Sequence, residues 1–278
     1  MKYDFDRVID RRGTGSSKHE RNTAMFGTED VLDLWVADMD FPVPEPVVQA
    51  IKERAEHPIY GYTFPQESLL EAICERMLKR YNWKINKEWI VFNAGVVNGL
   101  YSAVQAFTHP GDEVVLQPPV YYPFYNIVKH NGCQAALNPL LLKDGRYTMD
   151  FAGLERLFEA HTRFPVRIPR IKAIILSSPH NPVGRVWTRG ELSTLAEICI
   201  KNDCMILSDE VHCDLLVKGA KHTPMATLSK EIEQHTITFM SASKTYNIAG
   251  LSTSFAIIPN TKWRQQYINI RAGHNSGN

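Results

Sequence analysis

No stretch of this 278-residue chain approaches the ~18 apolar residues that a membrane span requires, and its charged opening, MKYDFDRVIDRRG, has no signal-peptide core. Charge of a single sign is equally scarce. The 31 Lys and Arg face 30 Asp and Glu, a net charge of +1 that gives no reason to expect a nucleic-acid or membrane partner. Cysteine is sparse: Cys74, Cys133, Cys199, Cys204 and Cys213 form no CxxC, and an odd count argues against a full disulfide framework. A reduced, cytoplasmic protein is the simplest reading. The chain also lacks the HExxH of a zinc protease, the GK[ST] ending of a phosphate loop, the dinucleotide pattern GxGxxG and the hydrolase elbow GxSxG. It has no internal repeat and no low-complexity tract.

What is present is globular composition, 44% hydrophobic and 22% charged, in a length that suits one large core or two modest ones. Residues 1–45 read as irregular, because Pro42, Pro44 and Pro46 forbid a continuous helix or central strand. A short helix starts behind them, at Glu45, and QESLLEAICERMLKRY repeats its apolar residues at helical spacing. Thereafter strands and helices alternate. WIVFNAG reads as a strand and VNGLYSAVQAF as a helix, and PGDEVVLQPP is a turn feeding a strand. YYPFYNIVKHNG is a helix candidate and CQAALNPLLL a strand. IKAIILSS and CMILSDE, joined by the helix TRGELSTLAEICIKN, are almost uninterrupted apolar strands of the kind buried on both faces. TITFMSASK and LSTSFAIIPN add two more. The pattern predicts an α/β fold: a mixed, mostly parallel sheet between helices.

Ligands of such sheets sit beyond the strand ends. Four ends here are polar or glycine-rich: NAGVVNG, SSPHNP, SDEVH and SASK. Each is ambiguous alone. Lys244 is either an exposed surface charge or an amine delivered by a strand, whose pKa falls on partial desolvation until it can attack a carbonyl. Asp209 is a cap, half of an ordinary ion pair, or a carboxylate stabilising a protonated ring nitrogen. Gly95 and Gly99 flank a helix start whose amides could receive a phosphate, with Ser241 and Ser243 adding hydroxyls, or they mark a cap and a tight turn. Asn181, in an Asn-Pro turn, could hydrogen-bond a ring hydroxyl. Tyr121 either packs or stacks on a ring, and His212 is either an ordinary core histidine or supports Asp209 from behind.

Taken together, these endings resemble, in this order, the fold-type I pyridoxal-phosphate enzymes of the aspartate aminotransferase superfamily. More closely, the chain resembles the MalY/PatB family of cystathionine β-lyases. The likeness rests on YDFDRVIDRRGTGSSKHE, LWVADMDFPVPEPV, FNAGVVNGL, FTHPGDEVVLQPPVYYPF, SSPHNPVGRVWTRGEL, SDEVHCDLL and SASKTYNIAGLSTSFAIIPN, and it runs to about Asn260. The resemblance implies pyridoxal 5′-phosphate as cofactor, with Lys244 as covalent anchor and proton carrier. Tyr121, against the ring, counts with Lys244 as catalytic. Asp209 would pair with the ring nitrogen and Asn181 with the ring hydroxyl. The backbone at Val96 and Val97 would hold the phosphate together with Ser241 and Ser243. Tyr62 resembles a tyrosine that reaches the neighbouring subunit's phosphate, which implies a homodimer. His212 stands where many aminotransferases carry tyrosine, and this family commonly has histidine there.

The implied activity is cleavage of L-cystathionine or a related cysteine conjugate to a thiol, pyruvate and ammonia. Transamination is the alternative in the same chemistry. Members of the family run on for roughly another hundred residues, an ordinary domain's length, and that small domain supplies an arginine for the substrate carboxylate. The expectation is therefore an N-terminal arm or part of a small domain over 1–45, a cofactor-binding large domain over 46–278, and a C-terminal small domain absent or truncated. A truncated cofactor-binding or regulatory protein with little activity is the second alternative, and no arginine here is assigned to the carboxylate.

Overall fold

The computed structural model describes residues 3–162 and 170–273. The chain divides into two compact units, one of residues 1–61 with 242–252, the other of 62–241 with 253–278. The first unit carries helices α1 (Ser17–Glu20), α2 (Asn22–Phe26) and α3 (Glu45–Glu56). The sequence reading left α1 and α2 as irregular. At four and five residues they are too short for apolar periodicity to register. α3 begins with Glu45 behind Pro44, as expected, with Pro46 in its first turn, where the missing N–H costs nothing.

The second unit begins with α4 (Glu67–Tyr81), followed by β1 (Ile90–Asn93), α5 (Val96–Phe107), β2 (Glu113–Leu116), α6 (Pro123–His130) and β3 (Gln134–Leu137). Next come β4 (Leu141–Lys143), β5 (Arg146–Thr148), α7 (Phe151–Thr162), β6 (Ile171–Ser177), α8 (Arg189–Lys201) and β7 (Met205–Asp209). α9 (Lys230–Gln234), β8 (Thr236–Met240), β9 (Ser254–Ile257) and α10 (Thr261–Gly273) complete it. Seven strands form one sheet in the order β1-β9-β8-β7-β6-β2-β3. β9 runs antiparallel to both β1 and β8, and the remaining pairs are parallel. This is the mixed, mostly parallel sheet that the alternating pattern predicted.

CQAALNPLLL, read as one strand, is two. Pro139 has no N–H to continue the ladder, so β3 ends before it. β4 then pairs with β5 across Asp144-Gly145, both with positive φ (48° and 72°), in a separate hairpin.

The period-2 geometry of the buried strands sends successive side chains to opposite faces. Ile175 of β6 and Leu207 of β7 join Leu100, Val104, Phe124 and Tyr267 beneath α5, α6 and α10. Ile174, Leu176 and Ile206 join Leu154, Leu192 and Leu195 beneath α7 and α8. Each such aliphatic side chain contributes about 1.5–3 kcal/mol when fully buried. α8 starts at Thr188 with a capping box, in which Thr188 Oγ1 accepts from the Glu191 N–H and the Glu191 carboxylate accepts from the Thr188 N–H. The sheet is thereby pinned on both faces and its strand ends are held in fixed register.

Candidate active site

Ser177 at the end of β6 stands opposite Asp209 at the end of β7, and Asp209 stands opposite Phe239 of β8. The ladder carries on past the strand: Ser178 N–H donates to Asp209 O (2.9 Å), and Glu210 N–H to Phe239 O (2.9 Å). Asp209 is buried, and its Oδ1 accepts from the Val211 N–H (3.1 Å). The β7 end thus presents a carboxylate at a fixed point.

The start of α5 lies beside the same strands. A Cβ at Gly99 would come within 3.0 Å of the Phe239 ring and 3.1 Å of Asn93 Nδ2, so glycine is what lets the helix approach β8 this closely. Tyr267 Oη donates to Asn93 Oδ1 (2.6 Å) and lies 3.1 Å from Gly99 O, which locks α10 to the same junction. The N-cap is Gly95, with φ 99°, and no side chain caps the helix. The first-turn amides of Val96 and Val97 lie before the point where intrahelical bonding begins, which makes them the natural seat of an anion. Val96 is buried and Val97 exposed.

Asn181 is half-buried, four residues beyond Ser177, and its N–H donates to Ser177 Oγ (3.0 Å). The turn that carries it is closed by His180 N–H to Arg185 O and Gly184 N–H to His180 O, both 2.8 Å. Arg185 stacks over Trp187 (4.6 Å) and pairs with Glu191, while Trp187 Nε1 donates to Ser177 O (3.0 Å). Burial holds the His180 imidazole below its ordinary pKa, so the neutral ring donates through Nε2 to Pro119 O (3.0 Å). That bond ties the Asn181 turn to the loop bearing Tyr121. The Tyr121 ring packs edge-on to Phe124 (5.8 Å, 83°). Burial first, then the neighbouring Tyr122 and the Asp209 carboxylate, raises its phenol above the ordinary value.

Ser241 is buried at the end of β8, and its Oγ donates to Thr253 O (2.7 Å), closing the base of the excursion from 242 to 252. His212 is half-buried, and its carbonyl accepts from Leu215 N–H (3.0 Å). Tyr62 is fully exposed, at 108%.

Thus the second unit assembles Asp209, Asn181, Tyr121, the α5 start and Ser241 around adjoining strand ends. Ser243 and Lys244 belong to the first unit. Ser243 O accepts from Ile248 N–H (3.0 Å), and Lys244, half-buried, donates from Nζ to Ala37 O (3.1 Å).

Three groups of functional interest escaped the sequence reading. Asn247 lies three residues past Lys244 and bonds the backbone of residues 39 and 41. Glu210, fully buried behind Asp209, pairs with His222 (2.8 Å) and accepts from Ser208 Oγ and Met225 N–H. Asp38 and Asp40 meet Arg11 and Lys18. All stand in stretches whose motifs were visible, SASKTYN, SDEVH and WVADMDF. Partners tens or hundreds of residues away leave no local signature.

The seven-stranded sheet, with β9 antiparallel and its polar strand ends, has the fold of the fold-type I pyridoxal-phosphate transferases. The chain belongs to the family described as aminotransferase class I and II, whose model matches residues 29–277. It is 46% identical over 263 residues to the cystathionine beta-lyase PatB of Bacillus subtilis (strain 168), covering 95% of this chain and 66% of that relative. Cystalysin from Treponema denticola, whose crystal structure contains pyridoxal 5′-phosphate, matches with TM-score 0.91 and 38% identity, over 100% of this chain and 68% of that one. The PLP-bound C-S lyase from Staphylococcus hominis matches with TM-score 0.89 and 35% identity, over 100% and 68%. No helix among the described residues is long and apolar enough to cross a membrane.

Proposed function

We propose that this chain binds pyridoxal 5′-phosphate and acts as a C–S β-lyase on L-cystathionine or a related cysteine conjugate. The observation that carries the reading is the alignment where the central strands β7 and β8 end. A buried carboxylate, Asp209, ends β7 in register with Phe239, and the uncapped start of α5 packs against that same phenyl ring. An anion seat beside a fixed carboxylate fits a ligand with a phosphate at one end and a protonatable ring nitrogen at the other.

When bound, the pyridoxal ring supplies the electron sink that makes a proton on the substrate's Cα removable. The chain's residues do the rest. Asp209 would hold the ring nitrogen by ion pairing, and Asn181 would hold the ring hydroxyl. Tyr121 would pack on the ring, and the backbone at Val96 and Val97, with Ser241 and Ser243, would hold the phosphate. His212 supports Asp209. Lys244 would anchor the cofactor covalently, and its amine would be the group that takes the substrate's Cα proton. The Cα–H electron pair becomes a Cα–Cβ double bond as the Cβ–S bond breaks and sulfur leaves as thiolate, to be protonated. Hydrolysis of the remaining three-carbon fragment gives pyruvate and ammonia.

The lyase assignment is supported by PatB, cystalysin and the Staphylococcus enzyme; transamination, supported by the family's description, is the second reading. Tyr62, with no cover from its own chain, suits contact with a second copy in a homodimer. The five free thiols suit a reducing, cytoplasmic setting. We read the first unit's N-terminal residues as an arm, with the cofactor domain in the sheet.

The test is the visible absorption band of purified protein with cofactor, followed by addition of L-cystathionine. The band and pyruvate release should both vanish in Lys244→Ala. Pyruvate and thiol should form without a keto acid, and strict dependence on a keto acid would favour transamination instead.

A further inference from the structure

The lysine loop carries Asn247 three residues past Lys244. Asn247 has left-handed backbone (φ 56°), a conformation that asparagine tolerates better than most residues. Its side chain reaches the irregular segment of residues 37–41. Nδ2 donates to Met39 O and to Phe41 O, both 2.9 Å, and Oδ1 accepts from Met39 N–H (3.0 Å). Both amide protons and the amide oxygen are thus used. The partners are 206 to 208 residues away in sequence. Three residues earlier, Lys244 Nζ donates to Ala37 O (3.1 Å).

The same segment is gripped through its side chains. Arg11 forks onto Asp38 (2.7 and 3.1 Å) and reaches Asp40 (2.9 Å). Lys18, 4% exposed, bonds Asp40 (2.6 Å). His19 also meets Asp40 (3.2 Å) and holds Asp33 (2.6 Å). The carboxylates on either side of Met39 are therefore fixed by three cations or potential cations, while Met39's own backbone is taken by Asn247.

We infer that Asn247 is a positioning residue: it registers the lysine loop on residues 37–41 and thereby holds the Lys244 amine at the Ala37 carbonyl. The meaning of that position for chemistry rests on the cofactor reading above, but the clamp itself is a property of the chain. Only a side-chain amide of this length supplies two donors and one acceptor here. Asn247→Asp is isosteric and loses both donors. Asn247→Gly keeps the left-handed backbone and loses all three bonds.

The experiment uses the full chain without cofactor. Hydrogen exchange of the Met39 amide is followed by mass spectrometry, and Lys244 is labelled with an amine-selective reagent across a pH series. Both variants should speed Met39 exchange about tenfold or more, as loss of a net hydrogen bond predicts. They should also raise the labelling rate of Lys244 severalfold, with the urea midpoint of the sheet core unchanged. In protein loaded with cofactor, the pH at which the visible band shifts should move in the same variants. Unchanged Lys244 labelling, whatever the exchange result, would overturn the inference. So would loss of the cooperative unfolding transition in both variants, because Asn247 would then be part of the fold and not a positioning device. A wild-type chain that binds no cofactor would sink the proposed function and leave the labelling result standing.

Discussion

Each of the two compact units is ordered internally, and by opposite means. In the sheet unit, Leu100, Val114, Leu116, Ile174, Ile175, Leu207 and Phe239 are all completely buried, and the strands are sealed from both faces. In the first unit, the buried side chains among the described residues are Ser16, Lys18 and Asn22, none of them apolar, while Phe5, Val8, Leu32 and Leu34 are exposed. Its order comes from Arg11, Lys18 and His19 against Asp33, Asp38 and Asp40, and from Asn247 on the backbone at 39 and 41. Hydrophobic burial is undirected and proportional to area. Ion pairs and amide bonds are directional and respond to pH, salt and single atoms. The first kind of order builds a scaffold. The second suits a segment that must hold one amine in one place.

The largest effect should follow from cutting into the scaffold. Leu100→Ala empties a fully buried site on α5, and the loss should be about 2–5 kcal/mol from the lost transfer energy and the cavity. The urea midpoint reads it, and exchange at Met39 should not respond until the whole sheet unfolds. A rise in Met39 exchange at low urea would break the contrast between the units.

Gly99→Ala should come next. The added methyl meets the Phe239 ring at 3.0 Å and Asn93 Nδ2 at 3.1 Å, and overpacking of this kind costs about 1–3 kcal/mol. Because the methyl pushes the α5 start away from the β8 end, cofactor affinity should fall further than stability does. Equal affinity in the variant would separate the α5 start from the phosphate seat.

These two substitutions also mark what could be read in the sequence. Leu100 sits in VNGLYSAVQAF, whose helical spacing placed it, and the apolar runs of β6 and β7 announced strands buried on both faces. Asp209 and Asn181 could be located because they end such runs. The antiparallel sense of β9 could not, since pairing direction depends on connections and not on composition. Nor could Gly99's contact with Phe239, which joins residues 140 positions apart. The break at Pro139 was available in the local sequence and was overridden by the apolar run around it. The first unit was legible least of all. Its stabilising pairs are polar, and polar residues in an irregular stretch look the same whether they are solvated or locked.

Acid should act on the first unit before mild denaturant does. A hydrogen bond from Arg11 holds the Asp38 carboxyl below its ordinary value, and one from Lys18, helped by Arg11 and His19 against the cost of burial, holds Asp40 lower still. A depressed folded-state pKa means that the stabilisation is complete above the unfolded value, about 3.9. It is lost as pH falls through the folded value. Met39 protection, corrected for the intrinsic pH dependence of exchange, should therefore stay level from neutral pH to about pH 4 and fall only below it. Lys18→Met keeps the buried stem and deletes the ammonium, so it should lower the protection at neutral pH and move the acid loss upward. An acid profile unchanged in this variant would remove Lys18 from the clamp.

The smallest effect tests whether charge in this unit matters as such or only where it grips residues 37–41. Arg12 and Asp10 form a pair with good geometry (2.7 Å), and their mutual hydrogen bonds depress Asp10 to about 2. Yet the two side chains are 85% and 59% exposed, and the hydrogen bonds of this pair run from Arg12 to Asp10 and not to the segment of residues 37–41. Water and salt screen such a pair, and side-chain entropy opposes it. Arg12→Ala should leave Met39 exchange, Lys244 labelling and their acid profiles where they are in the parent chain. Arg11→Ala, one residue earlier, should raise both rates, because it strips the fork from Asp38 and the third bond from Asp40. Equal effects at positions 11 and 12 would mean that the first unit responds to net charge, and the contrast between directed and undirected order would then fail where it was drawn most narrowly.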